Sequence, residues 1–134
     1  MALLIMGCGV LVQNLMLTLV SQGNKLSILD ECGNPDDHII SDTRVTVFVS
    51  TGNLMDDLQN CDIDNVSVFL ALSEGDNKNA MAAQIASHMF NVPHVVCQVD
   101  DTSKYDVYGS LGINVVSATR TLANNILDDV IGAG

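Results

Sequence analysis

The chain has 134 residues, 48% of them hydrophobic but only 4% aromatic. That length predicts a single domain spanning residues 1–134, with a core built from Val, Ile, Leu, Ala and Met. Sixteen acids against five Lys and Arg leave a net charge of −11, which repels phosphate backbones and excludes a nucleic-acid-binding or anionic-membrane role.

Leu3 to Met6 is a strand candidate, and it runs straight into the turn Gly7-Cys8-Gly9. Val12, Leu15, Met16 and Leu19 then recur at i, i+3, i+4 and i+7, the single apolar face of a helix. Gly23 and Asn24 stop that helix. Gly7, Gly9, Gln13 and Asn14 interrupt the opening apolar window, which therefore falls short of the roughly 18 residues of a membrane span. No Lys or Arg precedes Lys25, so a signal peptide's cationic start is missing as well.

Leu26 to Leu29 is a second strand closing on Asp30 at an exposed strand end. The polar segment 31–44 reads as loop with at most a short helix, and VTVFV at 45–49 is a third strand. VSVFLAL at 66–72, the longest aliphatic run, is a central strand. After the loop SEGD comes a helix with Met81, Ile85 and Met89 four apart and Ala82 and Ala86 beside them, ended by Pro93. VVCQV at 95–99 is a fifth strand, residues 104–111 a short helix, and Ile113 to Val116 a last strand. A closing helix carries Leu122, Ile126, Leu127, Val130 and Ile131, more apolar surface than a small domain covers alone, which predicts a homodimer or higher oligomer.

Alternation of strands and helices predicts a Rossmann-like α/β fold: a doubly wound parallel sheet of about six strands, order 3-2-1-4-5-6, in three α/β/α layers. In such a sheet ligands sit beyond the carboxyl ends of the strands, where the order switches. Loops 7–12, 30–33, 50–54, 73–79 and 100–103 meet there. Gly7 and Gly9 permit a tight turn and a close approach to phosphate, and the helix starting at Val10 or Leu11 offers free N–H groups. Val12 stands where a third glycine would complete G-x-G-x-x-G. Asp30 follows Gly9 at close to the roughly 20-residue spacing of a ribose-binding acid, which favours NAD or an adenosine nucleotide over NADP.

Other chemistry finds little support. His38, His88 and His94 lack metal-ligand spacing, and there is neither a G-x-S-x-G elbow nor a P-loop. Cys8, Cys32, Cys61 and Cys97 are widely separated and read as reduced thiols; Cys8, near a helix start, reads as a packing residue or a thiol of lowered pKa. Asp100 and Asp101 read as caps for the helix ahead of Ser103.

Several ordered phrases resemble one family, the nucleotide-binding regulatory domain of bacterial potassium uptake and potassium channel systems (the RCK or Trk-type N-terminal domain). These are LLIMGCG at 3–9, LSILD at 26–30, STGN at 50–53, LALSEGDNKNAMAAQIAS at 70–87 with Asp76 and Asn79 as its Asp-x-x-Asn helix entry, NVPHVVCQVDD at 91–101 and LGINVVSATRTLANNI at 111–126. The resemblance implies a cytoplasmic, non-enzymatic subunit that binds NAD(H), AMP, ADP or ATP and reports occupancy to a membrane-embedded potassium transporter or channel subunit. It sets Gly7, Cys8, Gly9, Val10 and Leu11 against phosphate, Asp30 and Glu31 at the ribose, Gly52, Asn53 and Leu54 near adenine, and Leu72 and Ser73 at the floor. The chain departs from the family at Val10 and Val12, where a basic residue and a glycine are common, and at Gln98 and Ala118, where Arg and Pro are common. Two positive charges near the phosphates are thereby lost, and the resemblance covers the family's nucleotide-binding domain without its smaller C-terminal regulatory domain. A domain kept for assembly without nucleotide and a small NAD-dependent oxidoreductase are the alternatives.

Overall fold

The computed structural model describes residues 1–31 and 42–132. In chain order the elements are β1 (Ala2–Gly7), α1 (Val10–Ser21), β2 (Lys25–Asp30), β3 (Val45–Val49), α2 (Leu54–Asn60), a 3-10 turn (Ile63–Asn65), β4 (Val68–Leu72), α3 (Asp76–Gln84) running on into a π turn (Ile85–Met89), β5 (His94–Gln98), α4 (Thr102–Gly109), β6 (Asn114–Val116) and α5 (Ala118–Gly132). The six strands form one sheet, order β3-β2-β1-β4-β5-β6, and every neighbouring pair is parallel. The expected fold is present. Most of the polar segment 31–44, with Cys32 and His38, lies outside the described residues.

Both faces of the sheet are covered, which is why its strands read as continuous aliphatic runs. The pleat sends Leu3 and Ile5 of β1 with Leu26 and Ile28 of β2 toward α1, where they bury Val12 and Met16. Leu4 and Met6 with Leu29, Phe69 and Ala71 face the other way, onto Leu58, Ile63, Ala82 and Ala86 of α2, the 3-10 turn and the end of α3. Each large apolar side chain so buried contributes about 1.5–3 kcal/mol. A third cluster joins Ala80 and Ala83 to Cys97, Val99, Ile113 and Val115, with Tyr105 and Tyr108 of α4 packed against it. Burial pushes the Cys61 and Cys97 thiols up to about 12, with the Asp57 and Asp76 charges adding to it, and both cysteines are free. Cys8 is disulfide-bonded, which corrects the readings of it as a reduced or activated thiol.

Three further departures from expectation are informative. The α3 face that packs on the sheet is Asn79, Ala80, Ala82 and Ala83, followed by Ala86, whereas Met81 and Met89 are 58% and 60% exposed. Small side chains let the helix approach the sheet closely, so the four-residue methionine spacing marks the solvent side. Asn91, at φ +52°, turns the chain before Pro93. The sequence reading has no helix at α2, whose run LMDDLQN buries only Asp57 and Leu58.

The closing helix α5 buries none of its residues, and Leu122, Ile126, Leu127, Val130 and Ile131 are 51–71% exposed. Among the described residues no helix is long and apolar enough to cross a membrane.

Candidate functional site

The order β2-β1-β4 places the end of β1 between two neighbours, and the chain turns there on Gly7, at φ +143°. A Cβ on Gly7 would stand 2.5 Å from the Leu72 carbonyl oxygen, so no other residue fits. Gly9 follows at φ +103° with open space beside it, and serves as the N-cap of α1 without any side-chain capping bond. The first intrahelical bond here runs from Gln13 N–H to the Gly9 carbonyl at 3.0 Å. The N–H groups of Val10, Leu11 and Val12 are thus the unpaired donors of a helix start, at the positive end of its dipole.

Beside this turn lies a cavity of ≈ 250 Å³, lined by Gly7, Cys8, Glu31, Ser73, Glu74, Gly75 and Lys78. Asp30 sits at the adjoining end of β2 and is only 4% exposed, which corrects its reading as a residue at an exposed strand end. Lys78, in the first turn of α3, makes an ion pair with Glu31 Oε2. The sequence reading counted two family charges as lost and overlooked this cation. Its signal was present, because Lys78 falls inside the loop 73–79 already singled out as ligand-facing.

A second cavity, of ≈ 300 Å³, lies on the other side of the turn between α1 and the start of α5, lined by Leu11, Leu72, Gln98, Val116 and Leu122 among others. Leu11 and Leu72 therefore belong to this apolar groove, and only Ser73 of the two expected floor residues reaches the first cavity. Val10, 74% exposed, lines neither. Gly52, Asn53 and Leu54 stand outside both cavities. Asn53 is the N-cap of α2, its side chain accepting from Asp56 N–H at 3.1 Å.

The loops at this edge are held by carboxyl and amide groups, of which the Asn79 amide is buried. Asn79, 1% exposed, accepts from Ser73 N–H and Oγ–H at 2.8 Å each, and donates to the carbonyls of Ser73 and Gln98 at 2.8 and 3.0 Å. Its amide thus has partners on both sides and sets the turn from β4 into α3. Asp76 accepts from the backbone N–H of Asp100 and Asp101, at 3.0 and 2.9 Å. Asp101 caps α4 through Ser103, as expected. Asp100 does something else: it accepts from Ala118 N–H at 3.1 Å, the first residue of α5.

At the end of β3, the Asp57 carboxylate reaches back from α2 to accept from Ser50 Oγ–H at 2.8 Å and from Thr51 N–H and Oγ1–H at 3.0 and 2.6 Å. Burial raises its pKa, but the hydrogen bonds from Thr51 and Ser50 and the charge of Lys78 outweigh that, and the net shift is downward.

With this geometry in place, comparison with known proteins is direct. The family model described as the TrkA-N domain matches residues 3–119. The chain belongs to this family. Over all 134 residues it is 31% identical to a Trk system potassium uptake protein TrkA of Streptomyces coelicolor, spanning 60% of that relative's length. Among solved structures it superposes on the Kef C-terminal domain of Shewanella denitrificans in AMP-bound form with TM-score 0.80 and 21% identity, covering 99% of this chain and 81% of that one. It also superposes on the GsuK channel bound to NAD with TM-score 0.72 and 18% identity, covering 90% of this chain and 22% of that one; GsuK is also solved with ADP. At these identities the structural likeness shows a shared fold.

In this TrkA-N domain, Asp57 ties the loop after β3 to α2, and its protonation should loosen that tie. The folded pKa lies below the ordinary 3.8, so the ionised carboxylate stabilises in full above that value and its contribution is lost as pH falls through the folded value. Asp57→Asn should therefore lower unfolding stability at neutral pH by about 1–3 kcal/mol. In urea unfolding, the gap between variant and parent should narrow in acid, below about pH 4. A gap that stays constant into acid contradicts the assignment.

Proposed function

We propose that this domain is a cytoplasmic, nucleotide-sensing regulatory part of a potassium transport system, binding AMP, ADP or NAD(H) and passing its occupancy to a membrane-embedded transporter or channel subunit. The observation that carries the reading is the glycine turn at the end of β1, with the uncapped start of α1 on one side and the cavity bounded by Glu31 and Ser73 on the other. Phosphate would lie against the N–H groups of Val10 to Val12. The ribose hydroxyls would meet Asp30, and the adenine would extend toward Gly52, Asn53 and Leu54. Family membership and the AMP-, NAD- and ADP-bound states of similar structures support this use of the edge.

The same geometry supplies a route for the signal. Asp76, at the start of α3, grips the loop after β5 through two backbone N–H groups, and Asp100 in that loop holds the first N–H of α5. A shift in the turn from β4 into α3 on ligand entry thus reaches the exposed apolar helix. We read the domain as a sensor without redox chemistry of its own, since a nicotinamide cofactor still needs a protein-bound substrate beside it.

Backbone donors in a chain of net charge −11 favour a less charged phosphate group. Calorimetric titration should therefore rank AMP, ADP or NAD(H) above ATP without magnesium, with NADP weakest because its 2′-phosphate meets Asp30. Asp30→Asn, which keeps the volume of this buried side chain, should weaken the preferred ligand roughly ten- to a hundredfold. Unchanged affinity would reduce Asp30 to a structural acid. Absence of binding by any nucleotide at millimolar concentration would leave the domain as an assembly module.

The exposed face of α5 is read as the contact of a homodimer, because two copies paired about a two-fold axis would bury Leu122, Ile126 and Val130 against their equivalents. Sedimentation velocity should show twice the monomer mass, and Ile126→Glu should return it to one copy. A monomer at high concentration rules this contact out.

A further inference from the structure

We propose that the Lys78–Glu31 ion pair is a latch over the cavity, which opens when a ligand phosphate replaces the Glu31 carboxylate on Lys78. The pair reaches from the residue after β2 to the first turn of α3, and so crosses the end of β1, which lies between those strands in the sheet. Both partners line the same cavity as Gly7 and Ser73. Their side chains are 40% and 20% exposed, so the pair stands at the solvent side of the cavity lining and is not part of the packed core. One Glu31 oxygen is engaged by Lys78, and the other is buried without a hydrogen-bond partner among the described residues. A carboxylate held in that way is poorly compensated, and moving it back into water removes a cost that the closed state carries.

The exchange conserves charge at the lysine. Lys78 gives up one anion and takes another, while the displaced Glu31 regains solvent. Of the chain's five Lys and Arg, Lys78 is the one that lines the cavity beside the glycine turn, so it restores part of the positive charge missing at Val10 and Gln98. The ligand that opens the latch must carry phosphate: a nucleoside alone offers Lys78 nothing in return for Glu31. This selection rests on the nucleotide reading of the crevice, and it makes Glu31 a competitor of the phosphate where that reading alone would set it beside the ribose.

An ordinary structural ion pair loses the same interaction whichever partner is removed, so both single substitutions move binding in one direction. A latch makes them move in opposite directions. Titrations with AMP, adenosine and inorganic pyrophosphate on the parent, Lys78→Gln, Glu31→Gln and the double variant separate the two. Lys78→Gln should weaken AMP about tenfold and leave adenosine unchanged, while Glu31→Gln should tighten AMP about three- to tenfold. The double variant should match Lys78→Gln. If the parent binds AMP but both single variants weaken it, or neither changes it, the latch is wrong and the nucleotide reading stands. If the parent binds no nucleotide, that reading fails. The latch then stands only if Glu31→Gln binds pyrophosphate and the double variant does not, and otherwise falls with it.

Discussion

A hydrogen atom is all that fits between the Cα of residue 7 and the carbonyl of Leu72. With any side chain at that position, a carbon would stand 2.5 Å from the carbonyl oxygen, and β1 could not end flush against β4. From that contact the rest of the ligand edge follows. The chain must leave the sheet through a turn with two residues at positive φ, Gly7 and Gly9, and must begin α1 without a capping side chain. A Ser, Thr or Asp cap in place of Gly9 would stabilise the helix by only about a few tenths of a kcal/mol. Without a capping side chain the first N–H groups of α1 remain available, as a helix start that takes an anion requires.

The remaining loops are positioned by polar side chains that bond to backbone, with Asn79 and Asp57 buried and Asp76 and Asp100 nearer the surface. Asn79, Asp76, Asp100 and Asp57 each satisfy groups of a neighbouring loop that has no strand partner. The buried groups among them, Asn79 and Asp57, are costly to leave unpaired, so the loops they tie are held to their helices. Linkage of this kind joins the cavity beside Gly7 to the first residue of α5, more than a hundred residues away in sequence. It ties the edge around Gly7 to the exposed apolar helix α5.

Much of this was legible in the sequence because it rests on local rules. The aliphatic runs, the Gly7-x-Gly9 turn and the apolar spacing of Val12, Leu15, Met16 and Leu19 predict β1, α1 and the parallel order without tertiary information. What escaped depends on contacts between distant residues. Helix α2 hides because its core contact is a single Leu58 beside an acid, Asp57, that sequence reads as solvated. The packed face of α3 is not fixed by its period alone, because alanines carry the packing while Met81 and Met89 of the four-residue row stay exposed. Burial of Asp30 and the pairing of Lys78 with Glu31 across β1 follow from sheet order, not from neighbours in the chain.

The central claim, that the edge around Gly7 is a nucleotide site, is tested most directly by mapping where AMP acts on the backbone. In an amide ¹H–¹⁵N NMR titration of isotope-labelled protein, the account predicts saturable shifts at Gly9 to Val12, Glu31 and Ser73 to Asn79. A smaller response should follow at Asp100 and Ala118, carried by the Asp76 clamp. Shifts confined to the opposite edge of the sheet, around Lys25 and Arg44, or no saturable shifts at all, would contradict it.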